Sequence, residues 1–128
     1  MNVILSQPHS TYINRINRIK QSPFNNQYVA TCSRDRTVKI WNPNTNWTLI
    51  RTFTGHSSSV YALEWINEQS IASGSNDLTM QIWSISTGSI QRTINVGDEV
   101  WSLKLMSNGF YLACGTGNGP INIYICET

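Results

Sequence analysis

The 128-residue sequence predicts an all-β fold of repeated four-stranded antiparallel sheets, and three observations predict it. Three stretches are near-copies of one another: Ala30 to Trp41, Ala72 to Trp83 and Ala113 to Tyr124. Their spacing is regular, with Trp41 and Trp83 separated by 42 residues, Trp83 and Tyr124 by 41, and Asp35 and Asp77 by 42. Their apolar residues alternate in the manner of strands and lack the 3.6-residue spacing of helical repeats. A period in the low forties, with a Gly-His pair and a late aromatic on a strand, fits the blades of a propeller.

The expected order is an N-terminal strand at about 2–5, a first blade at about 9–54, a second at about 55–96 and a third at about 97–126. Asn2-Val-Ile-Leu5 reads as a strand preceding the first blade. The tandem run Ile13-Asn-Arg-Ile-Asn-Arg-Ile19 permits two registers for that blade's first strand. The second unit is the clearest. Val60-Tyr-Ala-Leu-Glu-Trp65 alternates and forms a first strand, Glu68-Gln-Ser70 turns the chain, and Ile71-Ala-Ser-Gly-Ser75 is a second strand whose small side chains let neighbouring backbones approach. Asn76-Asp77 signals a tight turn. Thr79 to Ile85 is the third strand, and Ser86-Thr-Gly88 leads into a fourth at Ile90 to Val96. Met80 and Ile82 share one face of the third strand and Trp83 and Ile85 the other, as suits a sheet buried on both sides. In the third unit, Gly115-Thr-Gly-Asn-Gly-Pro120 has neither the Lys nor the strand-to-helix context of a phosphate loop and reads as a strand turn. Ile121 to Cys126 follows as a third strand.

Composition narrows the class. With 40% hydrophobic and 12% charged residues, the chain is globular in type, and a net charge of +2 makes no case for a nucleic-acid or membrane partner. Cys32, Cys114 and Cys126 are odd in number and far apart, so neither a disulfide framework nor a metal site is expected; they read as small buried thiols in a reducing compartment. The N-terminus lacks the pattern of a secretory signal, and no apolar run approaches the roughly 20 residues of a spanning helix. Asn46-Trp-Thr48 is formally a glycosylation sequon and reads as a polar turn. Cytoplasm or nucleus is the expected location.

Gly55-His56 before a first strand, Asp77 in the turn between second and third strands, and Ile82-Trp83 on the third make this sequence resemble the WD-repeat β-propeller family, across almost the whole chain. The resemblance implies a buried hydrogen-bonded chain of Asp77, His56, Ser73 (or Ser75, on the same face) and Trp83. Chemistry agrees with it: a buried carboxylate needs donors, imidazole can serve both ways and indole only donates. A Ser, a His and an Asp also suggest a catalytic triad, but these residues recur with the structural period on small-residue strands, as a framework does. No catalytic residue, metal or cofactor is therefore expected. In the first unit Thr31, Asp35 and Trp41 match, and the His position falls to His9 or to Tyr12 according to register. In the third, Val96, Cys114, Asn118 and Tyr124 replace all four polar residues, so that blade should be the least rigid of the three.

Three blades do not close a ring, since propellers use four to eight. The N-terminal strand would complete the last blade, in the permuted manner common in the family. Either the chain is a piece of a longer propeller, or two copies pair head to tail into a six-bladed homodimer, each donating Asn2 to Leu5 to the other's Ile121 to Ile125 edge.

The resemblance implies a platform that binds a peptide or protein. The residue after the first-strand Val lies, by family analogy, on the face near the channel. It is Tyr61 in the second unit, Trp101 in the third, and Asn14 or Asn17 in the first. Tyr61 and Trp101 are the foremost contact candidates, aromatics being prominent in binding hot spots, with inter-blade packing as the alternative. Arg34 and Arg36 flank Asp35 and either hold an acidic or phosphorylated peptide or stand as solvated turn charges. Two other functions stay open: an RNA-associated propeller, for which Arg15, Arg18 and Lys20 make only a short basic stripe, and a substrate-receptor module of a larger enzyme complex. Acidic residues are few and dispersed, which disfavours a sugar-cleaving or metal site.

Overall fold

The computed structural model describes residues 16–24, 26–106, 109, 111–119 and 121–125. The N-terminal strand expected at 2–5, His9, Tyr12, Asn14, Arg15 and Cys126 lie outside these residues. Among them there is no α-helix, only a 3-10 turn at Pro43–Thr45, and eleven strands form three antiparallel sheets. The first sheet has the order β1 (Ile16–Gln21), β2 (Val29–Ser33), β3 (Val38–Asn42), β4 (Thr48–Phe53). The second repeats it with β5 (Val60–Asn67), β6 (Ser70–Ser75), β7 (Thr79–Ser84) and β8 (Ile90–Asn95). The third has three strands among the described residues: β9 (Val100–Leu105), β10 (Tyr111–Thr116) and β11 (Asn122–Ile125).

Each sheet is a meander because consecutive strands are joined by short turns that only an antiparallel neighbour can use. The sheets then stack, and the alternation along β7 decides how. Trp83, with Ile85 just beyond the strand, joins Leu63, Trp65 and Ile71 in a core shared with Ala30, Cys32, Val38, Ile40 and Phe53 of the first sheet. Met80 and Ile82 join Ala62, Ile66 and Ala72 in a second core shared with Val100, Leu103, Leu112 and Cys114 of the third. The middle sheet is thus buried on both faces, and two cores replace one. The face of the third sheet turned away from the second has nothing over it among the described residues, and Ile121 and Ile123 are exposed there. The result is an open, incomplete propeller ring.

The first strands β1, β5 and β9 stand side by side along the inner wall. Polar ties cross between sheets there. The buried Glu64 carboxylate on β5 holds the Lys20 ammonium of β1 at 2.8 Å and accepts the Leu105 N–H of β9, also at 2.8 Å, so one side chain fastens all three sheets. The Trp65 indole donates to the Lys20 carbonyl at 3.1 Å, and at the outer rim Arg51 of β4 donates to the Ile85 and Ser86 carbonyls at 2.7 and 2.6 Å. The pairing also fixes the register of β1: Ile16 lies opposite Ser33 as Val60 lies opposite Ser75. Of the two registers that the tandem run allows, the molecule uses the one that makes Asn17 the counterpart of Tyr61.

Candidate functional site

In the second sheet the loop ahead of β5 carries His56 to the turn between β6 and β7. The His56 Nδ1 lies 2.9 Å from Asp77 Oδ2 and its Nε2 lies 2.7 Å from Ser73 Oγ, while the Trp83 indole donates to Ser73 Oγ at 2.8 Å. Burial disfavours an imidazolium and pushes the His56 pKa down, so the ring is neutral. The polarity of the chain then follows. The Trp83 N–H donates to Ser73, the Ser73 hydroxyl donates to Nε2, and the Nδ1–H donates to the carboxylate. Burial works to raise the Asp77 pKa, but hydrogen bonds from Thr79, His56 and the Ser57 N–H outweigh it and hold the carboxyl below its ordinary range. Ser75 does other work: its hydroxyl donates to the Ser59 carbonyl at 2.8 Å and accepts the Asp77 N–H at 3.0 Å.

Asp77 also shapes its own turn. Its Oδ1 accepts the N–H of Thr79 at 2.9 Å and its hydroxyl at 2.6 Å, and Leu78 between them sits at φ +73°. The first sheet repeats this, with Asp35 Oδ1 accepting the Thr37 N–H at 3.0 Å and hydroxyl at 2.6 Å around Arg36 at φ +75°. The left-handed conformation is costly for residues with a side chain, and the carboxylate clamp holds it. Thr37 and Thr79 were not singled out from the sequence; an Asp-X-Thr recurring at the 42-residue period is the signal that finds them. Trp41 donates to Thr31 at 3.1 Å in the same sheet.

The third sheet holds the same turn from the opposite side. Where Ser57 N–H donates to Asp77, here Asn118 N–H donates at 3.0 Å to Asp98 in the loop ahead of β9. That contact and the Glu99 N–H lower the Asp98 pKa. The carboxylate has moved to the other partner of the contact, which comparison of aligned positions alone does not reveal.

Two predictable consequences of pH arise from the second sheet. A His56 pKa lower in the folded than in the unfolded chain means that the unfolded chain takes up the proton first. Stability is full above about 6.5 and falls as the pH drops below it; Asp77, also lowered, adds a further loss below 3.8. The urea midpoint of the 128-residue protein should therefore decline between pH 7 and pH 5. His56→Asn, less stable throughout, should show a flatter profile in that window. A midpoint that rises on acidification contradicts a neutral buried imidazole.

The aromatic candidates lie elsewhere. Near the start of all three first strands the pairing skips a residue: Asn17 between Ile16 and Arg18, Tyr61 between Val60 and Ala62, and Trp101 between Val100 and Ser102. Each skipped residue is a β-bulge, the device that re-aims a side chain out of the sheet alternation. Tyr61 and Trp101 consequently meet across two sheets in a parallel stack, with centroids 4.9 Å apart and planes at 4°, and Trp101 remains 47% exposed. Asn17 turns inward to donate to Ser59 Oγ and the Val60 carbonyl at 2.9 and 2.8 Å. A hollow of about 320 Å³ is lined by Ile16, Asn17, Arg18, Tyr61 and Trp101. Arg34 and Arg36 are exposed at the β2–β3 turn and do not line it.

The short basic stripe read from the sequence is divided by the fold. Lys20 is tied to Glu64, and Arg18 lines the hollow. Cys32 and Cys114 are free and buried, and burial raises their thiols to about 12 and about 11. Among the described residues no cluster of His, Cys, Asp and Glu could hold a metal ion, and no helix is long and apolar enough to cross a membrane.

Comparison with known proteins agrees with this geometry. The chain is 36% identical over 69 residues to the nuclear distribution protein nudF of Aspergillus niger, covering 52% of this chain and 16% of that protein. It is 35% identical over 88 residues to the nuclear distribution protein PAC1 of Fusarium vanettenii, covering 62% and 19%. The chain thus spans less than a fifth of the length of these curated relatives. Among solved structures, the WD40 β-propeller domain of Doa1 superposes with a TM-score of 0.70 at 31% identity, over 78% of this chain and 33% of that one. The computationally designed Ika4 protein gives 0.74 at 24% identity, over 88% and 66%, a likeness of fold alone. The sequence profile described as "WD domain, G-beta repeat" matches residues 3–42 and 47–84, and the chain belongs to that family.

Proposed function

We propose that this chain is a non-catalytic interaction platform that captures a peptide or protein segment on the face carrying Tyr61 and Trp101. The observation that carries the reading is the pair of bulges that lifts two aromatics out of the sheet pattern and stacks them at the surface instead of in either core. Large aromatics with a polar edge, rigid and half exposed beside a hollow, are what binding hot spots are made of. In the same reading His56, Ser73, Asp77 and Trp83, with Thr31, Asp35 and Trp41, serve as framework. Ser73 is 0% exposed and its hydroxyl already has a donor and an acceptor, which supports a structural role over that of a nucleophile. Arg34 and Arg36 stand as outlying charges that could lengthen the contact. We place the platform in the cytoplasm or nucleus, in keeping with its buried free thiols.

The test is capture of protein partners from extract by the 128-residue chain and by its Tyr61→Ala/Trp101→Ala variant. The variant should lose at least tenfold in capture while keeping the parent's far-ultraviolet spectrum. Undiminished capture by a folded variant contradicts the reading.

A further inference from the structure

Arg18 follows the Asn17 bulge, and its counterparts after the other two bulges are Ala62 and Ser102. The pairing shows this, with Arg18 opposite Cys32, Ala62 opposite Gly74 and Ser102 opposite Gly115. One long cation therefore stands beside two short side chains on the inner wall. The space they leave is a second hollow of about 260 Å³, lined among others by Arg18, Lys20, Ala62 and Ser102. Arg18 lines this hollow and also the one beneath Tyr61 and Trp101, so the two share a wall at its side chain.

The charges in this groove are unequal. Lys20 is neutralised by Glu64 at 2.8 Å, whereas Arg18 is exposed and has no carboxylate partner among the described residues. That leaves one net positive charge, on a planar group suited to bidentate contact with a carboxylate. The Glu99 carboxylate and the Trp101 indole both border Gly117, so an acid stands at that edge of the aromatic pair and repels a doubly charged phosphate or a nucleic-acid backbone more than a single carboxylate seated on Arg18.

We infer that the captured segment is a peptide carrying an Asp or Glu whose carboxylate is held by Arg18, next to an apolar side chain that lies against Trp101 and Tyr61. The inference rests on the proposed capture face and names the chemistry of what it captures. The fit is complementary in both respects: the guanidinium meets the acid, and the aromatic surface meets the neighbouring residue.

A phage-displayed library of random dodecapeptides panned against the 128-residue protein tests this. Enriched peptides should carry Asp or Glu within two residues of an aromatic or branched aliphatic residue. A selected peptide should bind Arg18→Gln about tenfold more weakly, with the variant's circular dichroism unchanged. Panning on Arg18→Glu should select Lys or Arg at the same place. Enrichment that depends on Trp101 but shows no acidic preference, or that survives Arg18→Gln, overturns the inference and leaves the capture face standing. Absence of any peptide that depends on Tyr61 or Trp101 overturns both. A phosphoserine form of the selected peptide that binds more tightly, or single-stranded RNA that binds more tightly through Arg18, overturns the choice of a carboxylate-bearing peptide.

Discussion

Trp83→Ala should destabilise the protein by about 3–5 kcal/mol, as measured by urea denaturation. Trp83 is only 3% exposed and occupies the core between the first and second sheets. Its ring stacks on Phe53 of β4 with centroids 4.6 Å apart and planes at 19°, and its indole donates to Ser73. Truncation opens a cavity in a buried apolar core and leaves Ser73 without its donor, two costs that add. Trp83→Phe separates them. It keeps an aromatic on Phe53 and loses the hydrogen bond, so its cost should be nearer 1–2 kcal/mol. A loss below about 1 kcal/mol for Trp83→Ala would mean that the first two sheets do not depend on this contact.

Gly74→Val should cost about 3 kcal/mol through the other core. A Cβ built on Gly74 would fall inside the Cγ1 of Val100, 2.8 Å from the Val100 Cβ and 3.3 Å from that of Ala62. Glycine is needed there for closeness, since the third sheet inserts Val100 into the space the missing side chain leaves. The clash lies between sheets, so trimming the other partner should relieve it. Gly74→Ala combined with Val100→Ala should be less destabilised than the sum of the two single variants by about 1 kcal/mol. Strict additivity of the two losses would contradict the packing of β9 against β6.

These two residues differ in how plainly the sequence announces them. Trp83 recurs at the period of the repeat and sits on a strand with a clear two-faced pattern, so its burial is readable without coordinates. Gly74 reads as one of several small residues on a strand, and only the approach of Val100 shows why it must be bare. The same contrast runs through the polar groups. The spacing of His56, Ser73, Asp77 and Trp83 shows that they can meet, because a repeat that returns every 42 residues brings loop, turn and strand to the same place each time. Glu64 is hidden for the opposite reason. A lone acid on an alternating strand looks solvated, and its burial exists only once three first strands stand together and supply Lys20 and the Leu105 N–H. Asn17 could not be chosen over Asn14 while the tandem run offered two registers, which the pairing of Ile16 with Ser33 decides. Arg18 reads as part of a basic stripe until Lys20 is seen to be spoken for. Asp98 escapes comparison of aligned positions because the carboxylate and the N–H exchange sides of the contact.

The division of labour between a buried polar framework and an exposed aromatic pair is tested most directly by the urea midpoint of Tyr61→Ala/Trp101→Ala. The pair lies outside both cores and stacks at the surface, so the double variant should lose less than about 1.5 kcal/mol, mainly the stacking of the two rings. A loss as large as that of Trp83→Ala would make Tyr61 and Trp101 part of what holds the sheets together and would contradict their assignment as the surface that meets a partner.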